Sequence, residues 1–482
     1  MIAFSTPVSE IEVLPTKAWA AQLVESAHAG LRPVTLYGRP DDAGVVLTVV
    51  QQDGARLQVS RTTVDPARGY HELTSSVPAL HCFERELHEQ LGVRIAGHPW
   101  LKPVRFEGAD QAAMATYPFY RVDGKEVHEV AVGPIHAGVI EPGSFRFMCF
   151  GEHVIHLEIQ LGYQHRGVEA RLLERDPRTL APWCETIAGD TTIAHTWAYA
   201  AAIEQLAGHQ LDPQHELARA VMLELERIAM HLAGLSGLAA DLGFLPGAST
   251  YGRLRTTAIN TSMRLCGSRF GRSAIRAGGN GVVLDDELRD VVRANLALLR
   301  RDGAIMDECF EAARSVRHRL LGVGTVSTEL ATQLGLVGMA ARSAGVAIDA
   351  RTGGIYARHA LASCTQATGD CWARAQLRIA ELTASLDWLE RVVAEPVTFL
   401  KTRSTLAALA PSQLAIAVVE GWRGEVVHCL ETGASGELVH YKVQDPSLRN
   451  WMGLAMAVRG NEISDFPICN KSFDLSYCGN DL

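Results

Sequence analysis

The sequence predicts an α+β domain followed by a mainly α-helical bundle with small β-sheets. Three observations carry this expectation. Up to about residue 125, short β-branched runs alternate apolar and polar side chains and end at Gly, Pro or Asp. From about 165 to 400 the apolar residues recur at helical spacing. After Pro396 strand-like runs return. A chain of 482 residues is long enough for two or three cores. The expected division is residues 1–125 and residues 130–482.

In the first part, residues 44–50 (GVVLTVV) and 56–60 (RLQVS) read as strands, flanked by helical patches at 16–29 and 78–91. A hinge-like stretch at 122–125 leads to Gly133-Pro134-Ile135-His136. Residues 145–161 alternate like a hairpin with one packed face. In the helical part, 221–232 (VMLELERIAMHL) places apolar residues at i, i+3, i+4 and i+7, and 289–309 and 377–393 behave similarly. Residues 424–430 and 437–443 are strand-like runs joined by a Gly/Ser turn. No internal repeat or low-complexity segment interrupts the chain.

Composition excludes several classes. The net charge of -9 argues against nucleic acid as the main partner, because phosphate binding needs a basic surface. No apolar stretch reaches the roughly 18–20 residues needed to span a bilayer. The start lacks a basic segment followed by an apolar run, so no signal peptide is expected. The expectation is a cytoplasmic protein that meets a membrane only through partner subunits. The ten cysteines never form a C-x-x-C pair, so their spacing predicts neither an iron–sulfur cluster nor zinc. Most are expected to be buried small hydrophobes.

Three stretches carry a family resemblance. Residues 83–101, with Phe83-Glu84-Arg85-Glu86, Gly92 and then Gly97-His98-Pro99, resemble the signature of the 30-kDa subunit of complex I. Residues 162–169 (GYQHRGVE) and 223–231 (LELERIAMH) resemble the 49-kDa subunit and the large subunits of [NiFe] hydrogenases. Residues 419–425 (VEGWRGE) and 445–447 (DPS) resemble the C-terminal strands of that family. The ordered set covers the chain from about residue 30 onward. Fusion of the two parts in one chain, and the loop 133–146, resemble the large subunit of formate hydrogenlyase and hydrogenase-4 systems. The fold this implies is like that of the [NiFe]-hydrogenase large subunit.

The resemblance also implies a site. In the hydrogenases four soft thiolates hold nickel and iron. Here the matching positions fall on Ala188, Thr191, Asp474 and Tyr477, none of them cysteine. Cys184, Cys469 and Cys478 lie nearby but out of register. No metal is therefore expected, and the chain resembles a branch that has lost its nickel ligands.

In complex I the same cavity takes a quinone headgroup, held by a Tyr and a His whose partner is an Asp. That Asp is matched by Asp241. The Tyr position falls on Thr191, preceded by Asp190, while Glu141 or Ile140 stands in the loop where the His would be. A quinone carbonyl needs a donor within about 3 Å, and Thr191, Tyr477 or His136 would supply it. Asp241 and Glu141 are expected to share a proton if they form a carboxylate pair. Glu169 is expected to act as a proton relay, as in the hydrogenases.

Plainer roles stand beside these. His136 after Gly-Pro suits a turn, bonding backbone. Glu169 suits an ion pair with Arg166. Glu224 and Arg227 suit a structural i, i+3 pair. Asp474 and Tyr477 suit groups that satisfy backbone near a buried C-terminus. His153 and His156 alternate along a strand and are not expected to be ligands. The glycine-rich run 278–281 lacks the strand-then-helix context of a phosphate loop and resembles a family loop at the cavity mouth.

The function implied is the catalytic-type large subunit of a membrane-bound, ion-translocating oxidoreductase complex. It would dock between an iron–sulfur subunit carrying a [4Fe–4S] cluster and antiporter-like membrane-arm subunits, peripheral on the cytoplasmic side of the cell membrane. A quinone is the cofactor-sized guest expected. Two alternatives remain at this point: a non-catalytic scaffold or coupling subunit of such a complex, and a hydrogenase with unusual ligands. The last requires Cys184 and Cys469 or Cys478 to converge.

Overall fold

The computed structural model describes residues 1–107, 111–136 and 140–482. Strands Arg32–Asp41, Gly44–Asp53 and Arg56–Val64 form an antiparallel meander, with the short Glu12–Val13 strand added parallel at one edge. Helix Thr16–His28 covers it through Trp19 and Leu23, both buried. Helix His81–Leu91 stops at Gly92, whose φ of 63° is the left-handed conformation that a side chain resists.

The Glu84-Arg85-Glu86 run has three separate tasks. Glu84 accepts the backbone N–H groups of Leu73 and Thr74. Arg85 donates to the carbonyls of Lys102 and Pro103 and lies 4.2 Å over the Trp100 ring. Glu86 takes Lys442 at 2.6 Å and pairs with Arg105. Glu86 of the first quoted stretch is therefore tied by an ion pair to Lys442, on the strand that leads into residues 445–447.

Strand Ser144–Phe150 is central in a three-stranded sheet, between His153–Gln160 and Val127–Val132. The hairpin matches the alternation at 145–161; the third strand begins two residues after the stretch expected to be a hinge. The helical part is built on Pro213–Asp241, 29 residues and about 43 Å long. Asp212 caps it by accepting from Gln214, with Pro213 at the first helical position. Leu245–Cys266 and Cys371–Ala394 pack on it, and Asp286–Ala312 packs on those two helices in turn; Asp285 and Asp370 cap Asp286–Ala312 and Cys371–Ala394. No helix among the described residues is long and apolar enough to cross a membrane.

The expected boundary near residue 125 needs one correction. Strand Ile2–Pro7 leaves the first part and pairs antiparallel with Gln413–Glu420, completing a four-stranded sheet with Glu425–Thr432 and Leu438–Gln444. The two sheets then face one another. Val34, Tyr37 and Val50 pack against Leu414, Ile416, Val418 and Val427 in one shared core. Arg32 to Glu425 (2.6 Å) and Arg61 to Glu431 (2.5 Å) close the same seam. The strand swap follows from burial: the apolar edge of 413–420 needs a partner strand.

Candidate functional site

Three chain segments meet at the N-terminal end of helix Thr192–Leu206, and Tyr477 stands three residues beyond the last of them. Asp190 and Thr191 precede that helix; Arg423 comes from the loop between two strands of the C-terminal sheet. Asp474 follows helix Phe466–Phe473, and Tyr477 opens helix Tyr477–Asp481. Asp474 sits in the left-handed region, φ 55°, which Asp tolerates better than most residues.

Arg423 holds the two halves together. Its Nη1 and Nη2 donate to the two carboxylate oxygens of Asp190, each at 2.7 Å. Nη1 also reaches the Thr191 hydroxyl at 3.3 Å, and Nε donates to the Asp474 carbonyl at 2.5 Å. The guanidinium lies 3.9 Å over the Trp422 ring, whose Nε1 donates to the Asp190 carbonyl. Burial works against the charge of Arg423, but Asp190, then Asp474 and Asp445, outweigh it and raise its pKa.

The Asp474 carboxylate accepts from Lys471 at 3.1 Å and lies 3.7 Å from Arg378. Burial pushes this carboxyl up, yet Lys471, Arg378 and Arg423 together hold it below the usual range. Behind it, Arg378 reaches His231 (3.4 Å), and His231 reaches Glu381 (2.9 Å). Burial drives His231 down to about 4, so it is neutral at pH 7.

Asp241 ends the long helix and faces Lys471 and Asp474 from an exposed position. Its pKa is raised by partial burial and by Asp474, against the pull of Lys471. The expected pairing of Asp241 with Glu141 does not form. Asp241 has Asp474 as its neighbouring carboxylate, whereas Glu141 bears on Tyr477 and Cys478.

Tyr477 is buried, its ring 4.9 Å from Trp451 and 6.5 Å from Phe145. Its hydroxyl is sealed from solvent and has no partner at hydrogen-bonding geometry among the described residues, although Asn470 and Glu141 bear on it. Burial raises the phenol to about 12. The plainer role, satisfying backbone, is therefore not what either side chain does: the Tyr477 hydroxyl is unpartnered among the described residues, and the Asp474 carboxylate accepts from Lys471.

His136 bonds within its own loop, with Nε2 3.2 Å from the Gly143 carbonyl that accepts from it, as its turn role implies. In the 133–146 loop, residues 137–139 lie outside the described residues. Glu169 is corrected on its partner. It pairs with Lys442 at 3.1 Å and accepts the Val443 N–H, while Arg166 spends its donors on the carbonyls of Thr186, Ile187 and Cys478. Burial pushes Glu169 up, but Lys442 and Arg105 overcome it, so Glu169 stays charged on the seam between the sheets rather than beside Thr191.

Glu224 and Arg227 do pair, at 3.3 Å. The glycine run 278–281 is a short hairpin held by Glu204 and Arg219. Glu204 lies some thirteen residues along the helix from Thr191, roughly 20 Å away, so the hairpin is not at this crevice.

The residues do not fit nickel. The four positions offer a methyl group, a hydroxyl, a carboxylate already held by cations and a phenol. Cys184 contacts Tyr441 (3.7 Å), Cys469 contacts Cys371 (3.9 Å) and Cys478 sits by Ser476 (3.4 Å), so the thiols have different neighbours rather than each other. Among the described residues no three His, Cys, Asp or Glu side chains are grouped to hold a metal ion.

Sequence reasoning missed Arg423, Lys471 and Arg378. The first sits inside the quoted 419–425 stretch, and Lys471 stands three residues before Asp474. Glu226 was missed as well. It is buried, its Oε2 accepts the Ile193 N–H at 2.8 Å, and its Oε1 has no partner among the described residues. Burial lifts its pKa to about 8, helped by nearby Asp190.

The comparisons with known proteins point to large subunits of the hydrogenase and complex I kind. Residues 241–398 match the family model of the respiratory-chain NADH dehydrogenase 49-kDa subunit. Formate hydrogenlyase subunit 5 of Escherichia coli is 26% identical over 452 residues, covering 86% of this chain and 77% of that protein. Membrane-bound hydrogenase subunit alpha of Pyrococcus furiosus is 28% identical over 72% of this chain and 85% of its own length. Hydrogenase-4 component G of Escherichia coli is 27% identical over 86% of this chain and 76% of its own length. The chain is thus similar both to complex I 49-kDa subunits and to hydrogenase-4-type large subunits.

Proposed function

We propose that this chain is the electron-accepting large subunit of a membrane-bound, complex I-like assembly, working without a [NiFe] centre on a quinone-type acceptor. The single observation that supports it is the buried Tyr477 hydroxyl, a donor with no partner among the described residues, three residues from the ionisable cluster of Asp474, Arg423 and Asp190. A buried donor left unpaired costs about 1–3 kcal/mol, which a guest carbonyl would recover. Reduction of a quinone to a quinol takes two electrons and two protons. The electrons would come from a [4Fe–4S] cluster in a partner iron–sulfur subunit. Tyr477 would orient one carbonyl; Asp241, its pKa raised, would deliver one proton, and after reprotonation from solvent at its exposed position the second. Antiporter-like membrane partners and a place on the cytoplasmic membrane face complete this reading.

A photoreactive quinone analogue tests it on the complex with its partners. Labelling of peptides containing Tyr477 or Thr191, competed by unlabelled quinone, is expected. Labelling confined to the partner subunits contradicts it. A second reading, a scaffold that couples subunits without chemistry, is favoured by Arg423, which fills the space between Asp190 and Asp474 with an ion pair.

A further inference from the structure

A second cavity, of about 490 Å³, lies where helix His81–Leu91 and the 99–104 segment of the first part meet strand His153–Gln160 and helix Pro446–Ala457 of the second. Its size is that of small-molecule sites, which favour such junctions between chain parts. The walls are apolar: Leu157, Leu161, Leu448, Trp451, Met452 and Met456. Methionines give a wall that adapts to a flexible chain.

The charge at the rim is one-sided. Glu158 is the one acid among the described residues that lines the cavity, and it is fully engaged by Lys102, Trp100, Tyr117 and the Tyr120 N–H. Arg459 has no carboxylate within ion-pairing distance among the described residues. Its one polar contact there is His156, with Nη2 3.0 Å from Nδ1. Because Nδ1 accepts from the guanidinium, the imidazole proton sits on Nε2 and remains free to donate. Burial lowers the pKa of both groups, and no acid offsets it at Arg459. Arg459 is exposed, and in a chain of net charge -9 a cation with no carboxylate partner among the described residues, beside an apolar cavity, is suited to an anionic head group.

We propose that this cavity binds a single-chain anionic amphiphile. Its acidic head would be held by Arg459 and His156, and its hydrocarbon chain would run along Leu157, Leu448 and Met452 toward Trp451. The inner wall, Trp451, is also the ring that packs on Tyr477. The cavity therefore lies behind the candidate site and does not share its polar groups, and the proposal stands whether or not a quinone binds there.

Calorimetric titration of the full chain with laurate and with dodecanol tests this. Laurate is expected to bind one per chain. Arg459→Gln should weaken it by about tenfold or more, the loss of a charge-assisted contact, and leave dodecanol unchanged. Ala455→Trp should abolish both by filling the cavity; Leu161→Phe serves if that variant does not fold. Co-sedimentation with phosphatidylglycerol vesicles identifies the source. Arg459-dependent retention on vesicles marks a membrane lipid, and laurate binding without retention marks a free acid. Laurate binding unchanged in Arg459→Gln, or neither laurate binding nor vesicle retention, overturns the proposal.

Discussion

Arg423 grips both carboxylate oxygens of Asp190 at 2.7 Å and, through Nε, the carbonyl of Asp474. One side chain thus joins two segments that lie 284 residues apart, each carrying positions where the resemblance implies thiolates. Arginine suits this task because its planar fork matches a carboxylate with two parallel bonds.

Replacing Arg423 by Met is expected to destabilise the chain by about 1–3 kcal/mol. Loss of a partner from a buried pair costs about 3–5 kcal/mol, but Asp190 is 38% exposed and water recovers part of that. Arg423→Lys should recover little, since an ammonium cannot bond both oxygens in this geometry. Urea midpoints at constant m-value measure the effect.

Tyr477→Phe separates binding from folding. The hydroxyl makes no hydrogen bond among the described residues, so its removal should not destabilise the chain and should recover up to about 1–3 kcal/mol. Quinone-analogue affinity should fall severalfold in the same variant. Equal affinity in wild type and variant would remove Tyr477 from the site.

Glu226 predicts a pH dependence. Its folded pKa of about 8 lies above the ordinary 4.5, so the native state holds its proton more tightly than the unfolded chain does. The stability it contributes is fully present below about pH 4.5 and is lost as pH rises toward 8. Glu226→Gln keeps an acceptor for the Ile193 N–H and never ionises. Its stability relative to wild type should therefore rise between pH 5 and pH 8, on the order of 1–3 kcal/mol, and then level off. Thermal melts across that range check the slope; parallel curves would contradict it.

Deleting residues 1–8 removes a strand from the C-terminal sheet rather than from the first part. The variant should expose the edge of 413–420 and self-associate. Light scattering at several concentrations reads this; a stable monomer would contradict the pairing.

Much of the fold was legible from period and turn chemistry. Gly92 marks its helix end, and the 145–161 alternation marks its hairpin. The first strand was not, because its six residues carry no signal for a partner over 400 positions away. At the site, Asp190, Thr191, Asp474 and Tyr477 were legible because motif spacing positions them. Arg423, Arg378 and Lys471 were not, since a cation's partner depends on tertiary placement. Glu169 shows the same limit: Arg166 is near in sequence, but Lys442 is what the sheet seam brings to it.

The central claim is that this large subunit works without nickel on a quinone-type acceptor. Metal and quinone content of the complex, purified with its own partner subunits, tests it most directly. The account predicts partner iron–sulfur signals and a bound quinone that Tyr477→Phe or Asp241→Asn loses, with no stoichiometric nickel. Nickel at one per complex would contradict it outright, and neither nickel nor quinone would leave the coupling scaffold as the function.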